Sequence, residues 1–157
     1  MTRFAEAEHT PVYSKASADE IGRVIRYVVT ASEHTVAALQ VGGRKSKALL
    51  ADWAHVVGFG PDAVVIDDEE HLRHPDSDYE QRVTAGELDL RGRRVLTDTG
   101  YEIGALVDVE FDESTGELTA LETDRTSVNG DGLVAIGPYA VIVRQDAVRP
   151  EEEPPAS

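Results

Sequence analysis

Glu102-Ile103-Gly104-Ala105-Leu106-Val107-Asp108-Val109-Glu110-Phe111 is the stretch on which the fold of this 157-residue chain turns. From Val107 through Val109 to Phe111, apolar side chains alternate with acidic ones, the period of a strand with one buried face. On that reading Asp108 and Glu110 share the solvent face. Asp112-Glu113-Ser114-Thr115-Gly116-Glu117 follows as a hairpin loop, with Gly116 supplying the positive φ such a loop needs. The return strand, Leu118 to Thr123, has Leu118 and Ala120 at period two, a pattern that Leu121 interrupts. Upstream, Val95-Leu96-Thr97 reads as a strand closed by the turn Asp98-Thr99-Gly100. Downstream, Gly130-Asp131-Gly132 turns the chain into two β-rich runs, residues 133–136 and 140–143, separated by Gly137-Pro138.

The opening motif occurs twice. Glu20-Ile21-Gly22-Arg23-Val24-Ile25 lies 82 positions before Glu102-Ile103-Gly104-Ala105-Leu106-Val107, and the register holds without a gap to Ala38-Leu39 against Ala120-Leu121. Gly60-Pro61-Asp62-Ala63-Val64-Val65-Ile66 lies 77 positions before Gly137-Pro138-Tyr139-Ala140-Val141-Ile142-Val143, so the first copy holds five more residues between its blocks. Two diverged copies of a unit of roughly 60 to 70 residues account for this. In the first copy, Ile21 to Val29 is a strand, Ala31 to His34 a turn and Thr35 to Val41 the return; residues 47–55 suit a short helix or a strand.

Composition narrows the function. The chain has no cysteine, which excludes disulfides, thiolate metal sites and Cys nucleophiles. Fifteen basic against 30 acidic side chains give a net charge of −15, which argues against direct nucleic-acid binding because Lys and Arg supply most of that affinity. The charge is spread, with 8 basic and 14 acidic residues in 1–80 and 7 and 16 in 81–157. No apolar run approaches the roughly 20 residues of a membrane span, so a cytoplasmic protein without membrane insertion is expected. Residues 1–10 and the acidic, proline-rich 149–157 are expected to be disordered, and residues 68–85 to form a charged linker in which Asp78 to Gln81 make at most one helical turn. These limits leave units at 11–67 and 86–148.

Leu90-Arg91-Gly92-Arg93-Arg94-Val95, Gly100-Tyr101-Glu102-Ile103-Gly104, the Val107–Leu118 hairpin with its Thr115-Gly116, and Ile136-Gly137-Pro138-Tyr139-Ala140-Val141-Ile142-Val143 together resemble the PRC-barrel domain. The first copy resembles it through Glu20-Ile21-Gly22 and residues 60–66, and departs at the hairpin, where His34 stands in place of Gly116. The resemblance implies an all-β fold of two small, partly open barrels in tandem, with antiparallel strands and little helix. It also implies a non-catalytic role in protein contact. A scaffold or interaction module is the leading expectation; the alternative is an accessory factor in ribosome or RNA maturation that binds a ribosomal protein. Open barrel edges make a homodimer physically reasonable.

Sites of chemistry are few. No Gly-x-Ser-x-Gly elbow or phosphate loop occurs, and Gly42-Gly43-Arg44-Lys45-Ser46 reads as a strand connection, so no enzyme and no cofactor are expected. His71 and His74 stand beside Asp67-Asp68-Glu69-Glu70, residue types that bind metals, but Pro75 argues against the helix that would put both imidazoles on one face. A solvated linker is favoured and no metal ligands are assigned. Of the aromatics Trp53, Phe59, Tyr101, Phe111 and Tyr139, most should fill the core. Tyr101 and Tyr139 flank turns and, with Arg91, Arg93 and Arg94, form the expected partner surface for a protein of unknown identity.

Overall fold

A computed structural model describes residues 1–43 and 49–149. The chain begins with β1 (Thr2–Arg3) and α1 (Phe4–Ala7). Then come β2 (Pro11–Ser14), β3 (Glu20–Thr30), β4 (Thr35–Gly42), β5 (Leu49–Asp52), a 3-10 turn at Trp53–His55, β6 (Val56–Phe59) and β7 (Val64–Ile66). A 3-10 turn at Glu69–His71 and α2 (Asp78–Thr84) lead to β8 (Arg94–Thr97), β9 (Glu102–Phe111), β10 (Leu118–Thr123) and β11 (Ser127–Asn129). A 3-10 turn at Gly130–Gly132, β12 (Leu133–Ile136), β13 (Ala140–Val143) and a last 3-10 turn at Gln145–Ala147 complete it.

The strands form two open sheets, ordered β5-β4-β3-β2-β7-β6 and β11-β10-β9-β8-β13-β12, with β1 added to β9. The two orders match strand for strand. The fold is all-β, as expected, but not wholly antiparallel: β2 runs parallel to β7 and β8 parallel to β13. Alternation has the same period in either direction, so patterning alone does not distinguish them. The Ile-Gly motif has a backbone cause. Gly22 and Gly104 both take positive φ, +155° and +114°, and a Cβ at Gly104 would lie 2.2 Å from Asp124 Oδ1.

Strand β9 corrects a detail of the alternation. Its pairing with β10 shifts register between Leu106 and Asp108, so Val107 is an extra, bulged residue. Leu106 therefore points inward, Val107 is 54% exposed, and Asp108 is buried rather than on an open face. A second shift between Leu118 and Ala120 lets Leu121 join the core.

The first ten residues, expected to be disordered, are built into the fold. β1 pairs with β9, with Thr2 opposite Phe111 and Arg3 opposite Glu110, and Arg3 meets Glu122 at 2.8 Å. Asp108 explains the helix that follows: its Oδ1 accepts from Ala5 N–H at 3.2 Å, satisfying an otherwise free first-turn donor of α1. Phe4 is then buried, stacked on Tyr27 with centroids 3.8 Å apart. The 68–85 segment is likewise no mere linker. Ser77 Oγ accepts from Glu80 N–H to cap α2, and Val83 packs with Val28, Ala38, Leu50 and Leu88 in a core of their own. Residues 47–55 resolve in their described part as strand and 3-10 turn; Arg44, Lys45 and Lys47, and the tail from Pro150, lie outside the described residues.

The two halves share one core centred on Phe111. Phe4, Tyr27 and Phe59 lie 5.4–5.8 Å from its ring and Trp53 6.1 Å away, so four aromatics of the first half surround one of the second. Hairpin tips join the same way. Val36 N–H donates to Gly116 C=O and Leu118 N–H to His34 C=O, both at 2.8 Å, and each pair of positions is related by the 82-residue offset. This reciprocal pairing is that of a two-fold interface, here within one chain. His34 and Gly116 both lie at positive φ, +57° and +80°. Gly116 admits the Trp53 indole, which a Cβ would meet at 3.0 Å, whereas the His34 ring reaches Leu133 C=O at 3.1 Å.

Candidate functional site

Of the nine aromatic residues, only Tyr139 and Tyr101 are exposed, at 89% and 68%. Tyr139 lies in the β12–β13 turn, beside the start of β8, because β8 and β13 run parallel with Ala140 opposite Arg94. Tyr101 lies past the other end of β8, where the turn is closed by Thr97 N–H donating to Tyr101 C=O at 2.8 Å. The two phenols thus mark opposite ends of one four-residue strand. Among the described residues of the second unit, Val107 on β9 and Val134 on the edge strand β12 are also large, apolar and exposed.

The three arginines expected beside them have different situations. Arg93 is absorbed by the fold: its guanidinium donates to Asp89 C=O at 2.8 Å, Glu87 C=O at 2.6 Å and Pro138 C=O, pinning the Tyr139 turn to the segment before β8. Arg91 pairs with Glu8 across the junction of the halves, beside a cleft of about 350 Å3 lined by Phe4, Tyr27, Tyr79, Val83 and Leu88. Arg94 is exposed and meets Glu102 at 3.1 Å. Arg94 is therefore the freest of the three to meet a partner.

A second cluster takes His71 and Asp67, which the sequence singled out, and adds His55, which it did not. His55 ends the turn before β6, Asp67 follows β7, and His71 ends the next 3-10 turn. The antiparallel β6–β7 pair folds His55 back on Asp67, with Asp67 N–H donating to His55 C=O at 2.9 Å. Each imidazole then takes one carboxylate oxygen: His55 Nδ1 lies 2.8 Å from Asp67 Oδ2 and His71 Nδ1 2.9 Å from Oδ1. The rings stack with centroids 4.2 Å apart. Hydrogen bonds from His71 and His55 hold the Asp67 carboxyl well below the ordinary carboxylate range, and its bond to His71 raises the imidazole in turn. Asp67 is therefore a carboxylate that only accepts, and both rings carry their proton on Nδ1. His74, which the sequence placed with His71, is exposed and outside this cluster; His55 replaces it.

The PRC-barrel domain family matches residues 88–149, enclosing all the residues from Leu90 to Val143 that carry the resemblance. Residues 88–149 are a PRC-barrel domain. No curated protein matches the chain. The PRC-barrel match covers the second sheet from β8 to β13, and Tyr101, Tyr139 and the three arginines all lie within it. The His55–Asp67–His71 cluster lies outside it. Among the described residues, no helix is long and apolar enough to cross a membrane.

Proposed function

We propose that this protein is a non-catalytic interaction module, built as two PRC-barrel-like units joined tip to tip, that binds a protein partner in the cytoplasm through the Tyr101–Tyr139 face of its second unit. The carrying observation is the exposure of these two phenols while every other aromatic side chain is at least partly covered. Tyrosine brings large apolar area and a polar tip at low entropic cost, and it is enriched among residues that dominate binding energy. The Arg93 bonds to Asp89, Glu87 and Pro138 favour binding too, because a turn already held needs less ordering when a partner arrives.

Edge geometry favours the same reading. The β5 edge is covered by Arg73, which exchanges two backbone hydrogen bonds with Leu50, and the β11 edge is met by Arg149 N–H donating to Ser127 C=O at 2.8 Å. The strands β6 and β12 end their sheets, each carrying a register shift and an exposed valine, Val57 and Val134, at matching positions of the two units. The net charge of −15 steers the module toward a basic protein surface.

The test is affinity capture from the native host with wild type and with Tyr101→Ala/Tyr139→Ala, followed by direct binding of the purified partner. The reading expects the double variant to lose at least tenfold in affinity while its melting temperature stays within about 2 °C, since exposed side chains contribute little to folding. A partner bound equally well by both proteins contradicts the assigned face.

A further inference from the structure

His55, Asp67 and His71 stand where the second unit has the same backbone and different chemistry. In the PRC-barrel domain, Gly132 ends the 3-10 turn before β12, Arg144 follows β13, and Ala147 ends the next 3-10 turn. Even the bracing hydrogen bond recurs: Arg144 N–H donates to Gly132 C=O at 2.8 Å, as Asp67 N–H does to His55 C=O at 2.9 Å. The frame therefore closes with glycine, arginine and alanine, and two imidazoles around one carboxylate are not needed to build it. We propose that this cluster is a binding site for a divalent transition cation of the zinc class, held by His55 Nδ1, His71 Nδ1 and an Asp67 oxygen.

The donor set suits such an ion, since imidazole nitrogen with one carboxylate is a common zinc environment with an open fourth position. Ligand atoms around tetrahedral zinc, at bond lengths of about 2.0–2.1 Å, lie about 3.3 Å apart. Each Nδ1 already lies against one Asp67 oxygen, His55 at 2.8 Å from Oδ2 and His71 at 2.9 Å from Oδ1, and one ligand atom from each of the three residues lies within 4.8 Å of the other two. The three side chains are one-third to one-half exposed, so they can adjust as the cation enters. Each imidazole passes its proton from Nδ1 to Nε2 through solvent, so the rings remain neutral and the Nδ1 lone pairs turn to the metal. Asp68 N–H, which donates to Asp67 Oδ1 at 2.7 Å, orients the carboxylate from behind, the outer support that metal ligands need. Asp68, Glu69 and Glu70 add local negative charge that draws cations to the site.

The proposal is independent of the partner reading and is tested with zinc alone on the full chain. Calorimetric titration should give one equivalent bound, with His55→Ala and His71→Ala each weakening affinity at least tenfold and His74→Ala leaving it unchanged. Because a variant can lose its fold, proton NMR of the wild type supplies the second reading. Zinc should move the ring signals of two histidines, His55 and His71, and leave those of His9, His34 and His74. No uptake by wild type at 100-fold excess overturns the proposal. So does unchanged affinity in His55→Ala/His71→Ala, or a zinc shift centred on His74.

Discussion

Arg73 reaches three carboxylates from one backbone position, Asp76 at 3.3 Å and, with bidentate contacts, Asp52 and Glu80. Its Nε and Nη2 donate to the two oxygens of Asp52 at 3.0 and 2.9 Å, and its Nη1 and Nη2 to those of Glu80 at 2.8 and 2.6 Å. Bidentate pairing of this kind is the strong form of a charged hydrogen bond, and Glu80 is only 13% exposed. Arg149 repeats the device in the second unit, donating to Asn129 at 2.8 Å, with a neutral amide where the first unit has Asp52. The Arg73 bonds hold Glu80 down to about 2 from its ordinary value of 4.5. Because its folded value is depressed, Glu80 contributes stability that is complete above pH 4.5 and lost as pH falls through about 2. Glu80→Gln should cost about 1–2 kcal/mol at neutral pH, and its deficit relative to wild type should shrink as pH approaches 2. Urea midpoints of both proteins across that range measure it. The residues of this clamp are plain in the sequence, but their meeting is not, because Asp52 and Arg73 come together only when residue 73 lies along the β5 edge.

At the scale of elements, the N-terminal segment contributes more than its length suggests. β1 and α1 together hold six residues, yet Phe4 is 5% exposed and touches the aromatic cluster from which both halves hang. Phe4→Ala should cost about 3–5 kcal/mol by lost burial and the cavity left behind, read as a fall in thermal and urea midpoints. A loss under 1 kcal/mol would mean that the segment is not docked. Local patterning had no way to find this element: four helical residues and two strand residues are too short for either period, and their partners are more than 100 positions away. The long strands were legible for the opposite reason. β3, β4, β9 and β10 each carry enough residues to display period two, and their hairpin turns lie between them in sequence. What escaped there were the bulges, since one inserted residue at Val107 exchanges inner and outer faces without any change of composition.

For the molecule as a whole, the two sheets have matching strand orders, and the sequence similarities at offsets of 82 and 77 positions fall on corresponding strands. Their joining was not legible. Hydrogen bonds between His34, Val36, Gly116 and Leu118 depend on two hairpin tips meeting, and the tips differ in the residue that takes positive φ. The turn positions of Tyr101 and Tyr139 were legible but their exposure was not, and the His55–Asp67–His71 cluster needed the β6–β7 fold-back to form. With Phe111 set among four aromatics of the other half, neither unit has a complete core alone, so the pair should unfold as one body. Native-state hydrogen exchange at Val36 and Leu118 tests this most directly, because their amides carry the reciprocal bonds between the tips. The account predicts that both exchange only through global unfolding, with the same free energy as the core strand amides of β3 and β9. Exchange of these two amides at a much lower free energy, while β3 and β9 stay protected, would contradict it and mean two units that open independently.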